Sequence, residues 1–259
     1  MAVDTVVWQG SGQAWVGASW DEALVRRLTD PGRRPTVVPW GDSGDEYVGR
    51  AGVLHVFTGG LEPVSSGSED MAARLHAVRA AVDTAEGGGC SVVGICLGAQ
   101  MIAAVVSGLA PRPVRGGGEA GLTLVAGCAP GVPDLVVPTA HVAEVPEALL
   151  TLPGVRHLWR NAVTTVHGFA VGDRVVGVQF HPEFSAREAR RAARSFRRGL
   201  GAPAVWAPAQ AVDPAAALHA VLGQAAVHLP VPSTERERLV AAGEVLDAET
   251  AHDAVLEAV

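Results

Sequence analysis

The sequence predicts an α/β fold in which a mostly parallel central sheet is flanked by helices. Short apolar segments alternate with segments of helical periodicity along residues 1–200, and this alternation is typical of βα units around a parallel sheet. With 259 residues, of which 48% are hydrophobic, the chain is long enough to bury a substantial core. We therefore expect one large α/β domain followed by a small helical C-terminal appendage.

The predicted strands are short apolar runs that end in turns or in candidate functional residues. They lie at residues 3–8, 36–38, 53–57, 91–95, 163–171 and 174–180. The last two are predicted to form a hairpin around the tight turn at Gly172 and Asp173. Other short strands are expected between the third helix and residue 137.

The predicted helices begin at capping residues and continue with apolar side chains at helical spacing. The first begins at the capping box of residues 19–22, and the last begins at the capping box of residues 185–188. Ser68 caps the second helix, which the three glycines at 87–89 end. A mostly apolar third helix is predicted at residues 97–109.

Composition changes twice near the C-terminal end, and these changes define the predicted domains. Residues 1–200 are predicted as the main domain. Residues 201–214 are rich in Ala, Pro and Gly and are predicted as a linker. Residues 215–259 are predicted as a helical C-terminal extension.

Composition also argues against several classes of function. The formal net charge is −7, whereas a nucleic-acid-binding protein usually carries a basic surface. No uninterrupted apolar stretch is long enough to span a membrane, and no secretory signal precedes the three cysteines. We therefore expect a cytoplasmic protein with reduced thiols that contacts neither nucleic acid nor membrane. The cysteine and histidine spacings suggest no metal site, and no cofactor is expected.

Residues 94–98 read Gly-Ile-Cys-Leu-Gly and predict a nucleophile elbow at Cys96. An apolar strand precedes it and a helix-forming segment follows, and the flanking glycines allow a tight turn that projects the thiol from the sheet. The N-terminal end of the helix favours the thiolate. Most cysteines are inert, buried residues, but this strand-to-helix context favours a nucleophile.

A nucleophilic thiol requires a base, and the base requires an orienting acid. His181 follows an apolar strand and precedes Pro182, so its imidazole is expected at the carboxyl edge of the sheet. Glu183 is two residues away and is predicted to hold the other ring nitrogen. Seven other histidines are predicted to be packing or surface residues: His55, His76, His157, His167, His219, His228 and His252.

Three segments in this order resemble the class I glutamine amidotransferase family, whose members use a Cys-His-Glu triad. They are residues 58–60 (Thr-Gly-Gly), 94–100 (Gly-Ile-Cys-Leu-Gly-Ala-Gln) and 177–183 (Gly-Val-Gln-Phe-His-Pro-Glu). The resemblance extends over residues 50–190 and implies a flavodoxin-like fold. Residues 119–122 and 140–141 are also similar to stretches of stand-alone, GMP-synthase-like glutaminase domains.

The resemblance implies a role for each matching residue. Cys96 attacks the side-chain amide of L-glutamine, which gives a γ-glutamyl thioester and releases ammonia. His181 moves the protons, and Glu183 orients His181. The backbone N–H groups of Gly60 and Leu97 form the oxyanion hole, a large stabilising contribution in acyl transfer.

The same resemblance assigns Gly59, Gln100 and His141 to substrate binding, with His141 near the α-amino or carboxylate end of glutamine. The sequence departs from the family at Leu61, where many members have proline. Because leucine has a freer backbone than proline, the oxyanion loop is expected to be less rigid. Residues 119–122 also differ from the usual motif, which weakens the likeness to any one subfamily.

The chain contains neither an ATP-pyrophosphatase signature nor a P-loop. We therefore expect it to supply ammonia to a separate partner synthetase. One alternative is a γ-glutamyl hydrolase or peptidase that acts without a partner. A second alternative is a non-catalytic scaffold homologue, against which the intact triad argues.

The predicted last helix carries a row of arginines on a chain of net negative charge. Spacings of three, four and seven residues place six of them on one face: Arg187, Arg190, Arg191, Arg194, Arg197 and Arg198. Three interpretations are open: a solvated basic face, an interface with an acidic partner, or a contact with the acidic C-terminal segment. That segment carries Glu235, Glu237, Glu244, Asp247 and Glu249.

Overall fold

The computed structural model describes residues 4–11, 21–29, 33–200, 204–206 and 212–227. The strands are β1 (Asp4–Trp8), β2 (Thr36–Val38), β3 (Val53–Phe57), β4 (Ser91–Ile95), β5 (Arg112–Pro113), β6 (Glu119–Gly127), β7 (Leu135–His141), β8 (Ala143–Glu144), β9 (Val155–Arg160), β10 (Gly168–Val171), β11 (Val175–Val178) and β12 (Ala204–Trp206). The helices are α1 (Glu22–Leu28), α2 (Glu69–Glu86), α3 (Leu97–Ser107), α4 (Ala186–Leu200) and α5 (Pro214–Gln224), with a short 3-10 helix at Glu147–Thr151. None of these helices combines the length and the apolar character needed to cross a lipid bilayer.

Ten of the described strands build one large mixed sheet with the order β12-β6-β9-β10-β11-β4-β3-β1-β2, in which β7 pairs with β6 beside this path, and β5 and β8 form a separate two-stranded sheet. Strands β2, β1, β3, β4 and β11 run parallel. Strands β10, β9, β6 and β7 continue the sheet through antiparallel pairs. The mostly parallel α/β sheet flanked by helices is the predicted fold class, and that prediction is confirmed.

Alternating side chains of the parallel strands build a core on each face of the sheet. On one face, Trp8 and Phe57 belong to a buried cluster that includes Met71 of α2 and Ile102 of α3. On the other face, Val7 belongs to a cluster with apolar side chains of α1 and α5. Both faces are covered, which explains why these strands are almost continuously apolar in sequence.

Two of the predicted helix starts are present in the structure. The hydroxyl of Ser68 accepts a hydrogen bond from a backbone N–H three residues ahead (3.1 Å). The N–H of Ser185 donates to the carboxylate of Glu188 (2.7 Å), which completes a capping box. α3 ends at Ser107, two residues earlier than predicted, because Gly108 adopts a φ of 71° and stops the helix.

The predicted hairpin is present but shorter than expected. Its first strand begins at Gly168 rather than at residue 163. The side chain of Asn161 accepts hydrogen bonds from the N–H groups of Val163 (2.9 Å) and Thr164 (2.7 Å), and a turn of this kind competes with a strand ladder. Two residues of the predicted capping box at 19–22 lie outside the described residues, and in the described part the first helix begins at Glu22, with Asp21 at the N-cap and no side-chain capping hydrogen bond.

Part of the C-terminal region is integrated into the sheet and its core. β12 lies in the stretch predicted as a linker and pairs in parallel with β6. α5 contributes Leu218, Val221 and Leu222 to the core, and the hydroxyl of Ser91 donates to the carbonyl of Ala225 (3.0 Å). The division into domain, linker and extension stays a prediction, and the acidic C-terminal segment lies outside the described residues.

Candidate active site

The segments that resemble the family motifs meet at one edge of the sheet. Strands β1, β3, β4 and β11 are parallel, so their carboxyl ends share the edge at which α/β sheets bind ligands. Gly10, residues 58–60, Cys96 and His181 follow these four ends. The fold therefore brings the candidate nucleophile, base and oxyanion loop together.

Cys96 occupies the sharp turn between β4 and α3. Its backbone (φ 53°, ψ −106°) has a positive φ that residues other than glycine rarely adopt. The N–H of Cys96 donates to the carbonyl of Val178 (2.7 Å), which ties this turn to β11. A side chain at Gly94 would overlap the backbone of Gly98, and one at Gly98 would overlap the carbonyl of Phe57. Packing therefore requires both flanking glycines.

His181 and Glu183 form a buried pair shortly after β11. Nδ1 of His181 lies 2.7 Å from Oε1 of Glu183. The N–H of His181 donates to the carbonyl of Pro138 (2.8 Å), and its ring stacks on Phe184 with the centroids 4.5 Å apart. The imidazole also interacts with the thiol of Cys96. The three candidate triad residues are therefore contiguous.

The neighbours of His181 raise its pKa to about 10. Burial by itself disfavours the charged imidazolium, but the negative charge of Glu183 and the interaction with Cys96 outweigh burial. The surroundings of His181 therefore favour its imidazolium form.

Thr58 anchors the loop that follows β3. Its hydroxyl accepts a hydrogen bond from the N–H of Gly10 (3.0 Å) and donates to the carbonyl of Gly59 (3.3 Å). Its carbonyl accepts the N–H of Gly98 (3.2 Å). Because C=O and N–H point in opposite directions in a planar trans peptide, the bond to Gly59 also sets the direction of the Gly60 N–H.

Gly60 lies against the first residue of α3. A side chain at position 60 would overlap Leu97 and the backbone of Gly10, so the loop packs directly against the start of α3. Leu97 begins α3, and the first N–H groups of a helix have no intrahelical partner. The two predicted oxyanion donors are therefore neighbours, and their function stays a prediction.

Two of the residues predicted to bind the substrate have side chains that contact the same backbone carbonyl. The Nε2 of Gln100 donates to the oxygen of Ala143 (2.9 Å), and Nδ1 of His141 lies 3.1 Å from the same oxygen. Gln179, which the sequence analysis did not single out, donates to it as well (3.1 Å). The predicted role of Gly59, Gln100 and His141 in binding glutamine stays a prediction.

A second buried histidine–carboxylate pair borders the site and was not identified from sequence. Nε2 of His167 lies 3.0 Å from Oε2 of Glu119. These residues are 48 positions apart, so no spacing pattern indicates the contact. β6 carries Glu119 and pairs with β7, whose Ala140 has its carbonyl 3.8 Å from the Sγ of Cys96.

Comparison with known families identifies the class of protein. The family model of the class I glutamine amidotransferases matches residues 16–196, which is more than half of the chain. The chain therefore belongs to the class I glutamine amidotransferase family. No curated protein matches the chain.

Solved structures with the same fold agree with this family. A glutamine amidotransferase from Thermotoga maritima is 18% identical with a TM-score of 0.56, over 87% of this chain and 93% of that one. A putative GMP synthase subunit from Thermoplasma acidophilum is 20% identical with a TM-score of 0.53, over 76% and 98%. A glutamine amidotransferase from Methylobacillus flagellatus is 16% identical with a TM-score of 0.53, over 86% and 88%. At these identities the likeness concerns the fold.

Proposed function

We propose that this chain is the glutaminase subunit of a glutamine amidotransferase, which hydrolyses L-glutamine to glutamate and ammonia and supplies the ammonia to a partner synthetase. The observation that carries the proposal is the buried contact between Nδ1 of His181 and Glu183 (2.7 Å), with Cys96 beside the same imidazole. A strained cysteine, a histidine and a carboxylate in this order provide a nucleophile, a base and an orienting acid.

In the first half of the reaction, the Cys96 thiolate attacks the side-chain amide carbon of glutamine. The new S–C bond places negative charge on the amide oxygen, which the N–H groups of Gly60 and Leu97 stabilise. The imidazolium of His181 donates its proton to the amide nitrogen. The C–N bond then breaks, ammonia leaves, and a γ-glutamyl thioester remains on Cys96.

In the second half, neutral His181 removes a proton from a water molecule, and the resulting hydroxide attacks the thioester carbon. The C–S bond breaks, glutamate leaves and the thiolate of Cys96 is restored next to an imidazolium. Glu183 holds the Nδ1 proton throughout, so the other ring nitrogen is the one that exchanges protons.

Glutamate and ammonia release from L-glutamine by the purified chain tests this proposal, together with intact-mass detection of the thioester on Cys96. We expect glutamine to load Cys96 in the native chain and in Cys128→Ser, which alters an exposed thiol outside the site. A thioester on another cysteine, or turnover without any thioester, would contradict the assignment.

Two observations support the proposed partner, namely the charged surface of α4 and the description of one structurally similar protein. Arg190 and Arg194 are exposed on α4, whereas Ala189, Ala193 and Phe196 are buried on its other side. A basic surface on a chain of net charge −7 suits an acidic partner. The similar protein from Thermoplasma acidophilum is described as a synthase subunit.

Reversing two charges on α4 tests the partner. The Arg190→Glu, Arg194→Glu variant is expected to lose glutamine-dependent synthesis with its synthetase while keeping basal glutaminase activity. The matched control is Arg79→Glu, Arg115→Glu, which reverses two exposed arginines elsewhere. If both variants support glutamine-dependent synthesis equally well, the α4 arginines form only a solvated face. If instead the α4 variant loses thermal stability as a truncation after residue 227 does, the arginines contact the acidic C-terminal segment.

The effect of a partner on glutaminase activity also distinguishes the proposed amidotransferase subunit from the γ-glutamyl hydrolase alternative. An amidotransferase subunit should have low glutaminase activity alone and higher activity with its partner, because an uncoupled site wastes glutamine. Full activity alone, together with cleavage of γ-glutamyl peptides, would favour the hydrolase.

A further inference from the structure

In the protein interior beside the candidate active site, three buried side chains place one donor atom each close together. They are Glu119 on β6, His141 at the end of β7 and His167 just before β10, and one donor atom from each lies within 4.8 Å of the other two. Their relative exposures are 0%, 2% and 0%. The catalytic scheme uses neither Glu119 nor His167, and a metal-binding role of His141 in this cluster would replace its predicted role in binding glutamine.

The backbone fixes this cluster. Glu119 and His141 are directly paired in the β6–β7 ladder. The N–H of His167 donates to the carbonyl of Trp159 (2.9 Å), and its carbonyl accepts the N–H of Gln179 (2.8 Å). All three side chains are therefore anchored on strands or strand ends, which hold donor atoms more rigidly than loops do.

Outer hydrogen bonds orient two of the three side chains. The amide of Asn161 donates to Oε1 of Glu119 (2.6 Å), which leaves Oε2 facing the imidazoles. Nδ1 of His141 lies 3.1 Å from the carbonyl oxygen of Ala143. A carbonyl only accepts, so Nδ1 carries the proton and Nε2 points into the cluster. An imidazole oriented in this way by a backbone carbonyl is typical of metal-binding histidines.

One buried nitrogen of the cluster lacks a partner. Nε2 of His141 has no hydrogen-bond partner among the described residues and lies 3.6 Å from Oε2 of Glu119. The ion-pair contacts of Glu119 within the described part of the chain are with His141 and His167 only. A cation between these atoms would give the unpartnered nitrogen and the carboxylate oxygen a shared partner.

We propose that Glu119, His141 and His167 bind one divalent transition-metal ion, of which zinc is the best representative. Two imidazoles and one carboxylate are a common zinc donor set, with bonds of about 2.0–2.2 Å. The separations of 3.0 and 3.6 Å between Oε2 and the two Nε2 atoms suit ligands that share an ion at that distance. The hydroxyl of Thr164, 3.3 Å from Oε2, is the candidate for a fourth ligand.

The ion would hold together the strands that support the catalytic residues. β7 carries Pro138, whose carbonyl accepts the N–H of His181, and Ala140, whose carbonyl faces Cys96. Cross-linking β7 to β6 and to the start of β10 would keep these two carbonyls in place. Because all three donors are buried, the site is structural rather than catalytic.

Zinc binding to the Cys96→Ala chain tests the proposal, since that background removes the thiol that would compete for zinc beside His181. After removal of metal with a chelator, we expect one Zn²⁺ per chain by calorimetry, one Co²⁺ per chain by visible absorption, and a higher Tm with either ion. Adding His167→Gln should weaken Zn²⁺ binding at least ~100-fold, because the loss of a ligand exceeds the loss of an outer-shell partner. His157→Gln is the control, because His157 contacts the exposed Cys128 and lies outside the cluster.

Glu119→Gln provides a second test if the His167 variant does not fold, since the amide keeps the shape of the side chain. The same loss of Zn²⁺ binding is expected. The proposal is wrong if the Cys96→Ala chain takes up neither ion, or if only His157→Gln reduces binding.

Discussion

The chain contains two buried histidine–carboxylate pairs of similar geometry and different surroundings. His181 lies 2.7 Å from Glu183, and His167 lies 3.0 Å from Glu119. The first pair spans two residues of sequence and adjoins Cys96, whereas the second spans 48 residues and adjoins another imidazole, that of His141.

The two histidines respond in opposite ways to their surroundings. Burial lowers the pKa of His167, and the nearby carboxylate of Glu119 does not overcome it. Burial also opposes the charge on His181, but Glu183 and Cys96 together raise its pKa to about 10. A histidine–carboxylate contact alone therefore does not fix the direction of the pKa shift, because burial, the charge of the carboxylate and the third group beside the imidazole act together.

The largest effect is expected from removing that third group. Cys96→Ala should lower glutaminase kcat by at least ~10⁴-fold, because the variant has no nucleophile. It should also lower the pKa of His181, since Cys96 contributes to raising it, and an NMR titration of the imidazole measures this change. The proposed partner synthetase should still accept added ammonium. Undiminished glutamine hydrolysis would remove Cys96 from the mechanism.

Removing the charge of each carboxylate should separate the pairs. Glu183→Gln is expected to lower kcat by ~10²–10⁴-fold, as in related triads, and His181→Asn should be at least as damaging. Glu119→Gln should chiefly lower stability, by about 1–3 kcal/mol for a disturbed buried polar group. Steady-state kinetics and thermal unfolding of each variant measure this contrast. Equal kcat losses in Glu183→Gln and Glu119→Gln would show that the pairs do not differ in function.

The fall in kcat/KM at alkaline pH should report the protonation state of His181. In the proposed mechanism the imidazolium of His181 protonates the departing ammonia, so kcat/KM should fall as pH rises through the pKa of His181. Because that pKa is raised from 6.5 to about 10, native activity should persist at mildly alkaline pH. Glu183→Gln should move this fall to lower pH by more than about one unit, and Glu119→Gln should leave it in place. If the alkaline fall in kcat/KM stays at the same pH in Glu183→Gln, the fall belongs to a group other than His181.

The smallest effect is expected at Thr58, which acts on the oxyanion loop and on neither pair. Thr58→Val removes the hydroxyl that bonds the Gly59 carbonyl and should lower kcat by about tenfold with little change in KM, since one donor is misdirected rather than deleted. Thr58→Ser keeps the hydroxyl and should recover most of the loss. A Ser variant as impaired as the Val variant would indicate that the methyl group, and not the hydrogen bond, matters.

Sequence signals that lie within a few residues of each other predicted much of the fold and the closeness of the candidate triad residues His181 and Glu183. The glycines at positions 94 and 98 predicted the sharp turn at Cys96, and both glycines are in van der Waals conflict with any larger residue. Ser68 and Ser185 predicted helix starts because a capping residue acts on the N–H groups of its own first turn. The closeness of His181 and Glu183 follows from their two-residue spacing.

Contacts between distant segments could not be predicted in the same way. The pairing of Glu119 with His167 depends on the order of β6, β9 and β10 in the sheet, which no local pattern encodes. β12 lies in an Ala/Pro/Gly-rich stretch, a composition typical of linkers, and forms a strand because β6 offers a free edge. The hairpin is shorter than predicted because the side chain of Asn161 takes up backbone N–H groups that a longer first strand would use for sheet hydrogen bonds.

The positive φ of Cys96 bears on why the chain retains a cysteine at that position. Holding a residue other than glycine in such a conformation costs about 1–3 kcal/mol, a large part of the net stability of a domain. A descendant that served only as a scaffold would become more stable by acquiring glycine at position 96. The strained cysteine is therefore a thermodynamic penalty, which the proposed nucleophilic role of the thiol would explain.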